Sequence, residues 1–187
     1  MQNQVGGKHV FLVLGCCLIL FSPVLLLVIP TVIPMTFYFE KYTWVYYTPK
    51  ENYWVFGFGL AILVLCCAIL FIGNLKKWTI FVGIIFTTLA CFLFYGSAMS
   101  FIVFADEGIT YRGVFETEKK MIGWDDITHV VLEEVDPSKS GTSTFTFTLK
   151  NSEELSFIEN SNISSIRGSM RAKFQQYNIP MEHIDVE

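Results

Sequence analysis

Charge is scarce in the first half of this 187-residue sequence. No Asp, Glu, Lys or Arg lies between Val10 and Phe39, between Tyr53 and Gly73, or between Trp78 and Phe104, runs of 30, 21 and 27 residues. Ion pathways and proton relays place such groups at membrane depth, so their absence disfavours a pump or proton-coupled transporter. Cysteine is missing from the second half: Cys16, Cys17, Cys66, Cys67 and Cys91 all fall inside the apolar runs, which leaves no disulfide framework. Basic residues are too few for a nucleic-acid binder, with 13 Lys and Arg against 17 Asp and Glu and a net charge of −4. Metal-ligand spacings, phosphate-binding loops and nucleophile triads are also lacking. His129 and His183 have no ligand-spaced companions, and Asp125-Asp126 and Glu133-Glu134 read as solvated acids. The catalytic, cofactor and metal assignments are therefore none: the chain is expected not to be an enzyme and to have no small-molecule substrate.

What is present is apolar surface, 52% of residues by type and 16% aromatic. A helix needs roughly 20 apolar residues to cross a bilayer core, and each run exceeds that. The sequence predicts a membrane domain over residues 1–100 with spans at about 10–34, 53–73 and 78–99. The first run is expected to be a retained anchor and not a cleaved leader, because residues 17–39 stay apolar beyond Cys16 and no small-residue cleavage site ends it. Pro23, Pro30 and Pro34 each remove a backbone donor, so this helix is expected to bend near Pro23 and stop around Pro30 to Pro34; a functional hinge is the alternative. Rings crowd the stretch from Phe37 to Trp54, among them Tyr38, Phe39, Trp44, Tyr46 and Tyr47, as expected of a headgroup-layer loop; an aromatic ligand platform is the sharper alternative. Asn74 to Lys77 is too short to join anything but an antiparallel hairpin. Gly57 and Ala61, with Gly83, Thr87 and Cys91, offer small-residue seams for helix packing or self-association. The adjacent cysteines read as apolar filler rather than a soft-metal site, since neighbouring helical positions point about 100° apart.

The two halves differ in charge: residues 1–104 carry five basic and two acidic side chains, net +3, and 105–187 carry eight and fifteen, net −7. In 101–187 the period changes. Phe101 to Phe104, Ile109 to Val114, Lys120 to Ile122, Ile127 to Glu134, Thr142 to Leu149 and Glu153 to Ile158 are strand candidates, separated by turn residues such as Asp106-Glu107-Gly108 and Asp136-Pro137-Ser138. Phe145, Phe147 and Leu149 alternate with threonines on one face. Asn160-Ser161-Asn162 can cap a helix at about 162–177 whose stripe is Ile163, Ile166, Met170, Phe174 and Tyr177, leaving Arg167, Arg171 and Lys173 solvated.

Six or seven short antiparallel strands and one C-terminal helix, with the segment DEGITYRGVFETEKKMIGWDDITHV carrying Gly108 and the Trp124-Asp125-Asp126-Ile127 turn, resemble the bacterial pleckstrin-homology-like domains that follow transmembrane helices in small membrane proteins of Gram-positive bacteria. The resemblance covers about residues 101–178. It implies a multi-pass protein of the cell membrane: three transmembrane helices plus a C-terminal α+β PH-like domain, expected on the cytoplasmic side. Arg112, Lys119 and Lys120 are diluted by Glu116, Glu118, Asp125 and Asp126, which argues against anionic-lipid binding. Beyond the lipid bilayer, the expected partner is therefore a protein or a second copy of the chain, engaged at a sheet edge or beside the C-terminal helix. Arg112, Trp124, Arg167 and Arg171 are the candidate interaction surface, although Trp124 is best read as a core-edge residue that positions the next strand. The alternative function is a small channel, carrier or immunity-type protein acting through its helices.

Overall fold

The computed structural model describes residues 4–37, 42–135 and 141–186; Tyr38, Phe39 and the Asp136-Pro137-Ser138 turn lie outside them. Helix α1 runs Gln4–Phe37, α2 Lys50–Ile72 and α3 Lys77–Met99. All three are long and apolar enough to cross a membrane, over Gly6–Thr36, Lys50–Ile72 and Lys77–Met99. The expected stop at the prolines does not occur, and α1 continues through Pro23, Pro30 and Pro34 to Phe37. Pro23 lacks the N–H that would bond the Ile19 carbonyl, and the Ser22 hydroxyl donates to that carbonyl instead, at 2.8 Å. Pro30 and Pro34 are buried, so their rings contribute packing.

In the α2–α3 hairpin, glycines admit larger neighbours. A Cβ at Gly83 would lie 3.0 Å from Leu70, and Gly59 lies against the Phe94 ring, which also tilts against Phe56 with centroids 4.8 Å apart. The Cys66 thiol donates to the Gly83 carbonyl at 3.4 Å. Gly57 and Ala61 face α1 instead, lining an apolar cavity with Leu26 and Pro23. Asn52, fully buried, donates to the Ser97 carbonyl at 3.2 Å and the Ser100 carbonyl at 2.7 Å, while the Ser97 hydroxyl donates back to the Asn52 carbonyl at 2.9 Å. These bonds tie the first turn of α2 to the last of α3.

The strand-rich unit has two four-stranded sheets. The first is β1 (Thr43–Tyr47), β2 (Phe101–Ala105), β3 (Gly108–Arg112) and β4 (Lys120–Gly123), in that order. Strand β1 comes from the stretch expected to be an interfacial loop. It pairs antiparallel with β2, Val45 opposite Phe104 and Tyr47 opposite Ile102, and Trp44 stacks on Trp124 at 5.6 Å. In sequence, the α2–α3 hairpin therefore falls between the first two strands of this sheet. Gly108 opens β3 at φ 153, where a Cβ would run into the Ile122 backbone.

The second sheet is ordered β7 (Glu154–Ile158), β6 (Thr144–Leu149), β5 (Ile127–Val135) and β8 (Met181–Val186). Strands β5 to β7 are antiparallel, and the alternation of Phe145, Phe147 and Leu149 appears as buried positions between half-buried threonines. In the core the rings meet edge to face: Phe147 with Phe157 of the same sheet at 5.5 Å and with Phe174 at 6.1 Å, and, across the two sheets, Phe104 with Phe157 at 5.4 Å. The Asn160 side chain caps α4 (Ser161–Ser165) by accepting from the Ile163 N–H at 2.9 Å. The single helix expected there is broken at Ile166, and α5 spans Arg167–Gln176. Tyr177, expected on its apolar stripe, caps the helix and is exposed. The eighth strand departs from the all-antiparallel expectation: β8 pairs parallel with β5, Val130 opposite Met181 and Glu134 opposite Asp185.

Candidate interaction site

Helix α5 ends in a Schellman turn that delivers the chain to β8. Asn178 takes φ 54, its N–H donates to the Gln175 carbonyl at 3.3 Å, and the Ile179 N–H donates to the Phe174 carbonyl at 2.8 Å. Pro180 then prevents the helix from resuming, and Met181–Val186 lies along β5. Cross-strand polar pairs accompany this docking: His129 Nε2 is 3.8 Å from Glu182 and His183 Nδ1 is 3.6 Å from Glu134.

Because β8 is the last strand of its sheet, one row of its backbone groups faces outward. Beside it, between β8 and α5, is a cavity of about 510 Å³ with Phe174, Ile179 and Met181 as its apolar lining and Arg171, Gln175, Asn178 and His183 at the rim. Arg171 is exposed and makes no hydrogen bond or ion pair among the described residues. The arrangement offers a strand edge, an apolar recess and an unneutralised guanidinium together. A peptide in extended form can use all three: main-chain bonds to β8, one apolar side chain in the recess and a carboxylate on Arg171.

The four residues singled out from the sequence are not brought together. Arg112 packs with the helices and is nearly buried, with Nε donating to the Glu116 carbonyl at 2.7 Å and Nη1 lying 3.5 Å from Met99 Sδ. Trp124 is wholly buried, its indole N–H shared between the Ala105 and Asp106 carbonyls at 3.1 Å each, so it belongs to the core and offers no surface. Arg167, expected to be solvated, pairs with Glu159 and with Glu134 at 3.2 Å and lies 5.8 Å from the Phe145 ring. Hydrogen bonding to Glu159, offset by desolvation and reinforced by Glu134, raises its pKa above the ordinary guanidinium value. Lys173, also expected in solvent, is largely buried and pairs with Asp106 at 3.5 Å. Of the four, Arg171 alone lies on the cavity rim. Sequence reasoning missed β8; its one signal was Asn178-Ile179-Pro180 closing the helix six or more residues before the end of the chain.

A family model described as Bacterial PH domain matches residues 45–184, from within β1 to within β8 and across the hairpin. The chain belongs to the bacterial PH domain family. Comparison with curated proteins returns no match, and neither does comparison with solved structures.

Proposed function

We propose that this is a non-enzymatic, multi-pass protein of the cell membrane whose PH-like domain, on the cytoplasmic face, captures an extended segment of another protein at the membrane surface. The observation that carries the reading is the outward edge of β8 beside the α5 cavity, with Arg171 on its rim unpaired among the described residues. Charge supports a protein over an anionic headgroup: Arg112 is spent inside its own loop, and Lys150 and Lys173 are paired with Asp126 and Asp106. Three crossings are supported by connectivity. The β1–β2 pairing needs both ends of the hairpin on one side, and two crossings return the chain there. Lys8 Nζ donates to Asn74 at 2.9 Å and Thr31 shares a 3.0 Å hydrogen bond with Tyr53, as α1 lying antiparallel to α2 requires.

The test places benzoylphenylalanine at Ile184 of the full chain in its native membrane. Irradiation is expected to yield an adduct with a second polypeptide that Arg171→Glu abolishes. No polypeptide adduct, or an adduct equally abundant with Arg171→Glu, overturns the proposal.

A further inference from the structure

The connection between β3 and β4 carries a residue that the strand fold does not require. Phe115 has φ 65, a left-handed conformation that an aromatic residue seldom adopts and that persists only where surrounding contacts hold it. Those contacts come from the helices. The Phe115 ring lies nearly parallel to that of Phe92 in α3, with centroids 5.0 Å apart and planes 10° apart, and it covers Gly96, where any Cβ would overlap it. Polar groups close the loop behind the ring: Arg112 Nε donates to the Glu116 carbonyl at 2.7 Å, the Gly113 N–H donates to Glu116 Oε2 at 3.1 Å, and the Glu116 N–H donates to the Gly113 carbonyl at 3.2 Å. By packing, residues 112–117 group with the helices and not with the sheets.

Phe92 sits seven residues before Met99, the last residue of α3, which at a rise of about 1.5 Å per residue is about 10 Å along the helix. A ring stacked on Phe92 is therefore held well inside the apolar length of α3. The outward faces stay open, with Phe115 49% and Phe92 57% exposed. We infer that the β3–β4 connection is a membrane-inserted wedge: Phe115 lies beneath the lipid headgroups, and acyl chains cover its free face and that of Phe92. This rests on reading α3 as a membrane span. The wedge needs no headgroup phosphate, because the one guanidinium in the loop is occupied by the loop itself. At the base of the loop, the Gly113 and Glu116 backbone groups are bonded within the loop and to Arg112, which lowers the cost of bringing them near the apolar layer.

The experiment uses the full chain in phosphatidylcholine nanodiscs with trifluoromethylphenylalanine at position 115 or, separately, at position 92. Fluorine resonances are read with doxyl-labelled lipid and with a water-soluble gadolinium chelate. Both positions are expected to broaden with doxyl lipid and to ignore the chelate, and Gly96→Leu, which fills the notch, is expected to make position 115 respond to the chelate while position 92 does not. Broadening of 92 by lipid and of 115 by the chelate overturns the wedge and leaves the span standing. A label at 115 that responds to neither agent is covered by protein, which also overturns the wedge. Both labels responding to the chelate refutes the span and the wedge with it.

Discussion

Replacing Trp44 by alanine should destabilise a domain whose other strands all lie more than fifty residues downstream. Trp44 is half-buried and stacks on the fully buried Trp124 with ring planes 23° apart. A fully enclosed tryptophan buries about 150–250 Å², so half-burial removes about 100 Å² from water, worth about 2.5 kcal/mol at about 25 cal/mol per Å². The ring pair adds about 1 kcal/mol, and the extended-chain reference makes the area figure an upper one. The expected loss is about 2–3 kcal/mol, a rise of about a hundredfold in the opening equilibrium. Amide hydrogen exchange of the full chain in nanodiscs reads it: protection of β5 and β6 should fall by that factor, whereas Tyr42→Ala, at an exposed position, should change it by no more than about 0.5 kcal/mol. Unchanged protection of β5 and β6 with exchange increased only in β1 would refute the reasoning, because β1 would then be an appendage and not part of the core. A Trp44/Trp124 double-mutant cycle should give a coupling of about 0.5–1.5 kcal/mol.

Other consequences concern the buried polar groups. Asn52→Leu leaves the Ser97 and Ser100 carbonyls without their donor and should cost the hairpin about 1–3 kcal/mol, measured as a lowered unfolding midpoint in detergent; an unchanged midpoint would show that the clamp is idle. Arg167→Met strands Glu159, whose side chain is only 10% exposed. With the solvent access of Glu134 discounting the loss, it should destabilise the strand unit by about 2–3 kcal/mol. Adding Glu159→Gln should recover most of that loss in the same exchange assay, and a double variant no better than the single would mean that packing and not charge is lost.

Strands whose partners are near in sequence and whose faces differ in burial were legible. Thr144–Leu149 alternates phenylalanine and threonine because one face meets the core, and the turn at Asp106-Glu107-Gly108 is marked by a glycine that only backbone geometry requires. Strand β1 was not legible for two physical reasons. Its partner lies beyond both hairpin helices, and its composition, Thr-Trp-Val-Tyr-Tyr, suits a headgroup layer as well as a sheet. Strand β8 shows no clear apolar alternation because, as an exposed edge, it has little to bury. At Pro23 a serine hydroxyl takes up the carbonyl that the missing N–H leaves free, and Pro30 and Pro34 are packed inside, which proline counting does not anticipate. For the candidate site, Arg171 was named from its place on the polar face of α5. The recess beside it arises from the Schellman turn and the return of the chain along β5, and the residues forming it carry no signature of their own.

Topology tests the account most directly. A reporter active on one side of the membrane is fused after Glu187 and, in a second chain, inserted between Asn74 and Lys77. The account predicts opposite sides, cytoplasmic for the fusion after Glu187 and external for the hairpin turn. Both reporters on the same side would contradict three crossings, and with them a PH-like domain threaded by a membrane hairpin.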